Sequence, residues 1–383
     1  MWFLTHTWLL PAIMALSFVL ILLFGKRLPR KGSEIGIAAV GICFVLAVLT
    51  AGGWWNHTNS HDDSEQASAT SITVAGAEEA DPEAEAAALG DVQEGCSNVV
   101  DGLEVSDDGH SATGIAPGEN ASVALATAEE GEGRGPTAPV VRCAEWFPIG
   151  PEGSSLITIG TLVDGQSVFM LFVVTIISLL VHVYSTDYVN GDRRYTHYFA
   201  FLSLFTASML FFVLSQSTIQ MIVGWELVGV CSFALIGHWW EEKPNSSAAL
   251  KAFLTNRVGD IGLLVGMTVL YFAADRSFSI LDINILAADG AISHGILLLA
   301  SCCLIAAVMS KSGQFILHTW LPDAMAGPTP VSALIHAATM VVAGIYLVAR
   351  LYPVFWEGLS IAGSSVNLLA LVGAVTAMFG ALL

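Results

Sequence analysis

The chain has 383 residues, of which 54% are hydrophobic and only 12% charged. Soluble domains carry about a quarter charged residues, so this composition argues for a membrane protein and against a cytosolic enzyme. The formal net charge of −19 is concentrated in one place: residues 52–150 hold 19 of the 33 acidic residues and two basic ones, Arg134 and Arg142. The rest of the chain holds 14 acids and 12 bases. An acidic insert in a near-neutral apolar body excludes nucleic-acid binding, which needs a basic surface.

A spanning helix needs about 20 mostly apolar residues. Nine segments qualify, so the expected fold is an all-α polytopic membrane protein. The first two, 5–24 and 35–53, make an N-terminal pair (1–53) joined by a loop with Lys26, Arg27, Arg30 and Lys31. The first is not a cleavable signal, because its basic flank follows it and no small-residue cleavage site is present. Residues 54–150 are rich in Ala, Glu, Gly, Asp and Ser and lack apolar periodicity. They read as a largely disordered loop. Cys96 and Cys143 lie in it and either pair in an oxidising compartment or stay as thiols. Asn56-His57-Thr58 and Asn120-Ala121-Ser122 fit the weak glycosylation pattern.

The third span, 157–183, falls in a segment (151–195) that ends with Arg193 and Arg194. Spans at 197–215, 217–237, 251–273, 293–321 and 328–350 fill residues 196–352, with Lys243 between the second and third of these. The 293–321 stretch is too long for one straight span and is interrupted by Ser310-Lys311-Ser312-Gly313-Gln314; a break at membrane depth needs protein or water facing it. A last span, 364–383, lies in 353–383. The three basic loops fall on one side, which is therefore cytoplasmic, with the N-terminus and the insert outside. Trp54-Trp55 and Trp239-Trp240 sit at span ends, as interfacial aromatics do.

Ionisable residues at membrane depth cost several kcal/mol unless paired or hydrated, so each is a functional candidate. Glu226 lies near the middle of the fifth span, and Lys311 occupies the break in the seventh. Burial disfavours a lysine's charged form and a nearby carboxylate restores it, so a Glu–Lys pair that forms and breaks can release and load a proton. The competing reading is a polar contact that pins two helices. Arg257 and Asp260, three apart on the sixth span, share a face. They either neutralise each other or tune the buried pair. His336, in the eighth span after Pro328-Thr329-Pro330, suits a proton relay because imidazole titrates near neutrality. The alternative is an interhelical hydrogen bond. His318, seven residues after Lys311, shares its face if the second half of the span is helical; it then extends the wire or sits at the interface. Lys251 reads as a snorkelling lysine, with proton feeding as the alternative. His182, Asp164 and the cysteines of the body read as structural. No C-x-x-C, G-x-G-x-x-G or P-loop is present, so no cofactor site is expected in this chain. The residues describe a proton or cation pathway through a helical bundle.

The stretch from Ser310 to Val341, including His318-Thr319-Trp320-Leu321-Pro322-Asp323-Ala324-Met325-Ala326-Gly327-Pro328-Thr329-Pro330 and Ala333-Leu334-Ile335-His336-Ala337-Ala338-Thr339-Met340, resembles the subunit L family. These are the largest antiporter-like subunits of respiratory complex I, the proton-translocating NADH:quinone oxidoreductase. Gly224-Trp225-Glu226-Leu227-Val228-Gly229, Asn256-Arg257-Val258-Gly259-Asp260 and Leu180-Val181-His182-Val183-Tyr184-Ser185 match as well. The resemblance implies two inverted five-helix repeats, of which this chain holds one and the start of a second. It implies a switching pair at Glu226 and Lys311, a relay at His336 and a charged position at Asp260 with Arg257. It also implies energy from quinone reduction in other subunits, a neighbouring antiporter-like subunit as partner, and a multi-pass location in the bacterial inner membrane.

Three features depart from that pattern. Gly313 and Phe315-Ile316 alter the residues after the lysine, the acidic insert is foreign to the family, and the chain stops in its ninth span, as a fragment or a truncated product would. The large subunit of a multisubunit sodium/proton antiporter, or of a membrane-bound hydrogenase, shares the charged core and is the alternative. A non-transporting scaffold is the third reading.

Overall fold

The computed structural model describes residues 2–72, 139–149, 155–337, 339–360 and 367–382. Eight helical segments among them are long and apolar enough to cross a membrane. A short α1 (Trp2–Thr5) precedes α2 (Leu9–Phe24) and α3 (Ser33–Ile72), whose apolar portion is Ser33–Asn59. Next come α4 (Gly165–Tyr188), α5 (Tyr195–Val213), α6 (Thr218–Ile236) and α7 (Lys243–Ala273). A short α8 (Ile280–Ala288) leads to α9 (His294–Lys311). After a four-residue turn of helix, α10 (Trp320–Asp323), the eighth span is made of two pieces, α11 (Thr329–Ala337) and α12 (Met340–Arg350). Helices α13 (Tyr352–Leu359) and α14 (Leu368–Leu382) complete the described chain. The polytopic helical architecture read from composition is the one observed.

Four local differences have physical causes. The expected third span began at 157, but β1 (Val140–Ile149) and β2 (Ser155–Val163) form an antiparallel hairpin there. Ile157, Thr158, Ile159, Thr161 and Val163 are β-branched, and β-branched side chains fit a pleated surface. Gly160 lets the strands meet, since a Cβ there would fall 1.9 Å from the Arg142 carbonyl oxygen. The insert expected to lack structure from 54 to 150 is helical up to Ile72 and extended again from Val140. The question whether Cys96 pairs with Cys143 and the Asn120 sequon both involve residues outside the described ones, although Cys143 itself lies in β1.

Helix α9 ends at Lys311 instead of resuming after the break. Residues 312–319 form turns, with Gly313 at φ +58° and Ile316 at φ +77°. Gly313 adopts this left-handed conformation without a side-chain penalty, whereas β-branched Ile316 is strained in it. The last expected span is a helix of 15 residues among those described, shorter than a full crossing.

Close packing of α7 on α9 sets the core geometry. Gly259, Gly262 and Gly266 lie one helical repeat apart, and a Cβ on each would meet Ser310 Oγ at 1.9 Å, the Cys303 carbonyl oxygen at 2.3 Å and Leu304 Cγ at 2.8 Å. In lipid, where no hydrophobic force separates helix from solvent, such small-residue faces let backbones approach and gain dispersion contacts. This contact brings α7's charges against Lys311. The three basic loops meet at one end of the bundle: Thr196 Oγ1 donates to the Lys31 carbonyl at 3.0 Å, and Arg194 donates to the His238 carbonyl and pairs with Glu241. The hairpin sits at the other end. Gln220 clamps Gly160 there, accepting from its N–H at 2.9 Å and donating to its carbonyl at 2.8 Å.

Candidate functional site

Three adjacent spans bring charges together: Lys311 of α9 and Asp260 of α7 are buried, while Glu226 of α6 and Arg257 of α7 are partly exposed. Lys311, the last residue of α9, is fully buried. Its ammonium donates to the Trp225 carbonyl at 3.1 Å and lies 5.0 Å from the centre of the Trp225 ring. Gly229, one turn further along α6, makes room for it: a Cβ there would lie 3.0 Å from Nζ. The Trp225 indole donates to Asp260 Oδ1 at 2.6 Å, so one tryptophan bridges lysine and carboxylate. Asp260 is 3% exposed, and its charge acts on Lys311, opposed by that of Arg257. The Arg257 guanidinium pairs with Glu226 and stands 3.8 Å from Asp260 Oδ2.

The row therefore reads Glu226, Arg257, Asp260, Trp225, Lys311. The sequence pointed to a Glu226–Lys311 pair. In the structure Glu226 takes Arg257, and among the described residues no ion pair joins Glu226 to Lys311. The cause is direction. Glu226 follows Trp225 by one residue, so the two leave α6 about 100° apart. Trp225 faces the interior at 0% exposure while the Glu226 side chain is 24% exposed.

Beyond the break, the Trp320 indole donates to the Ser310 carbonyl at 2.8 Å, satisfying one of the carbonyls freed where α9 ends. The Trp320 ring stands 6.3 Å from that of His336. Both His336 ring nitrogens are buried and bond no protein atom among the described residues. His318 is not on the Lys311 face, because the chain there is not helical. Its ring packs edge-on against Phe379 of α14 at 5.0 Å. Lys251 pairs with Asp323 at 2.6 Å, with both side chains more than 40% exposed. His182 is buried, and its Nδ1 lies 2.8 Å from the Ser178 carbonyl. Among the described residues no group of three or more His, Cys, Asp or Glu is placed to hold a metal.

Sequence reasoning missed two groups. Trp225 stands in the sequence only as part of a motif, although a buried indole N–H needs an acceptor and so signals a polar neighbour. Arg350 was overlooked. It is 5% exposed, binds Asp164 through two nitrogens at 2.6 and 3.2 Å, and donates to the Tyr346 hydroxyl. At the basic end, Asp192 accepts from the Arg194 N–H at 2.7 Å and the Trp239 indole at 2.8 Å, with His238 Nε2 at 3.3 Å. Burial pushes the Asp192 carboxyl up, but these bonds and the His238 charge together hold it below the usual aspartate value. Burial lowers His238 further than Asp192 raises it.

Charges on successive spans, within a helical bundle whose α9 ends at the lysine, describe an antiporter-like membrane domain. Residues 215–383 match the family described as NADH:quinone oxidoreductase/Mrp antiporter, and residues 146–199 match the complex I chain 5 N-terminus. Over these residues the chain is similar to antiporter-like membrane subunits. It is 46% identical over 235 residues to the NAD(P)H-quinone oxidoreductase chain 5 of Synechocystis sp., covering 60% of this chain and 34% of that one. It is 47% identical over 234 residues to the chloroplastic NAD(P)H-quinone oxidoreductase subunit 5 of Zygnema circumcarinatum, covering 58% and 32%. The chain thus spans about a third of the length of the curated relatives it matches. In fold it is similar to a chain of the membrane-bound sulfane sulfur reductase, an archaeal respiratory membrane complex. The TM-score is 0.61 at 14% identity, over 98% of this chain and 56% of that one.

Proposed function

We propose that this chain is a proton-translocating membrane subunit of an NAD(P)H:quinone oxidoreductase, acting with further membrane subunits that supply the redox chemistry. The observation that carries the reading is the row of charges from the partly exposed Glu226 to the buried Lys311, found in a chain similar to proteins of that name. Arg257 is its movable part. While it holds Glu226, Asp260 keeps its field on Lys311 and the ammonium stays charged. When Arg257 shifts the short distance toward Asp260, that field is neutralised and a fully buried lysine favours its neutral form. The released proton then has Trp320 and the ring of His336 on its far side. Lys251 and Asp323, at the basic end, stand where protons arrive, and His318 borders α14. Residues 196–352 act as one translocating repeat in this reading, and the chain itself holds no cofactor. The basic loops lie in the cytoplasm of a bacterial inner-membrane protein and the hairpin lies outside.

The test is NADH-driven acidification of membrane vesicles carrying the assembled complex, read by a pH-sensitive dye beside NADH oxidation. Lys311→Ala and Glu226→Gln are expected to lower the pumping-to-oxidation ratio with assembly retained. An unchanged ratio in both variants sinks the proposal. The family description also covers Mrp antiporters. If NADH drives nothing in the wild type but a sodium gradient moves protons, sodium/proton antiport is the function.

A further inference from the structure

Outside the charged row, a groove of about 670 Å³ opens between α2, α5, α6 and the hairpin. Its lower walls are apolar, with Ala12 and Ala15 of α2, Ala207 of α5, and Val223 and Leu227 of α6. Leu227 lies nine residues into α6, so the groove runs about 14 Å along the helix at 1.5 Å per residue. That is close to one leaflet's share of a hydrocarbon core of about 30 Å. Its upper end is polar. Arg142 and Thr161 face each other directly across the hairpin and both line the groove. The Arg142 guanidinium donates through one nitrogen to the Thr5 carbonyl at 2.8 Å and has no acidic partner among the described residues. Thr161 is 4% exposed, and its hydroxyl is buried with no hydrogen-bond partner among the described residues. Trp8, half exposed at the same end, marks headgroup level as interfacial indoles do.

We infer that this groove is a phospholipid site, with the phosphate held by Arg142 and Thr161 and an acyl chain lying against α2, α5 and α6. The guanidinium presents a fork that matches phosphate geometry, and the threonine hydroxyl supplies a further donor that otherwise stays unsatisfied. The helix of a neighbouring subunit would fill the apolar part but bring no anion to the polar end.

The experiment uses the whole purified chain, delipidated in maltoside micelles and titrated with phosphatidylglycerol or with diacylglycerol of the same chains, bound lipid being counted by native mass spectrometry. The wild type is expected to prefer phosphatidylglycerol. Arg142→Gln is expected to lower that preference about tenfold, the effect of losing one charge-assisted hydrogen bond. Arg142→Lys keeps most of it, and Ala15→Leu, at a position exposed to the groove, lowers binding of both lipids. Diacylglycerol held as tightly as phosphatidylglycerol, or an Arg142→Gln variant with the wild-type preference, overturns the assignment. So does a groove that takes up no lipid in the assembled complex because a neighbouring helix occupies it.

Discussion

Removing the charge of Asp260 separates the two arrangements that the row could have. Asp260→Asn keeps the shape but leaves a fully buried ammonium with only the Trp225 carbonyl at 3.1 Å and the Trp225 ring at 5.0 Å. Trp225 bridges the two groups with no direct ion pair between them, and leaving a buried charge uncompensated typically costs about 3–5 kcal/mol. Lys311→Met is milder, because Asp260 retains the Trp225 indole at 2.6 Å and Arg257 at 3.8 Å. It forfeits one charge-assisted hydrogen bond and a desolvated cation–π contact, about 2–3 kcal/mol together once desolvation is regained. With the lysine gone, Asp260→Asn has little left to uncover, so the double variant should be near Lys311→Met. The Asp260–Lys311 coupling is then about 3–5 kcal/mol, the full cost of Asp260→Asn. The same cycle on Glu226 and Lys311 should give about 0.5 kcal/mol or less, the additivity expected of groups that share no contact. Denaturant titration of the four proteins of each cycle in mixed micelles measures both. A Glu226–Lys311 coupling equal to or above the Asp260–Lys311 value would falsify this order of charges.

Arg350→Gln should lower the stability of the bundle by about 3 kcal/mol, the low end for a buried pair because the Asp164 side chain is 26% exposed. Thermal denaturation reads it. Asp164 also caps α4 by accepting from Ser167 N–H at 2.8 Å. Asp164→Asn should therefore lose the pair and keep the cap, while Asp164→Ala loses about 1 kcal/mol more; equal losses would show that the cap contributes nothing. Gly224→Ala puts a Cβ 2.8 Å from Phe212 Cα on α5 and should destabilise by about 1–3 kcal/mol as the α5–α6 contact opens, unless its unfolding midpoint matches the wild type. Asp282, outside the spans, is raised by burial despite a 2.6 Å bond from Ser277. Its folded state binds the proton more tightly than the unfolded one, so its contribution is full below the unfolded value and lost as pH rises through the raised one. Asp282→Asn should remove that loss, and parallel stability–pH curves for the two proteins would refute the assignment. Asp192 has the opposite sign: held low, it stabilises above the ordinary aspartate value and loses this as pH falls, a slope that Asp192→Asn should abolish.

Length and composition were enough to establish a polytopic helical membrane chain, because about 20 apolar residues in a row have no other stable solution in lipid. They also isolated the charged positions, since any ionisable residue inside such a run stands out against it. The basic loops announced one end of the bundle before any contact was known. The hairpin was lost to the same argument: Ser155–Val163 is apolar enough to pass as the start of a span, and its pairing with Val140–Ile149 is a relation between segments that a local pattern does not hold.

Partner choice within the row was equally out of reach. Glu226 and Lys311 are 85 positions apart, and which carboxylate meets the lysine depends on the rotation of α6 and on how closely α7 approaches α9. The glycines at 259, 262 and 266 set that approach, and it brings Asp260 rather than Glu226 to Lys311's side. A sequence records which charges are buried at what depth along each helix. The azimuth of each side chain about its axis, and therefore the order in which the charges meet, follows only from the packing of the helices against one another.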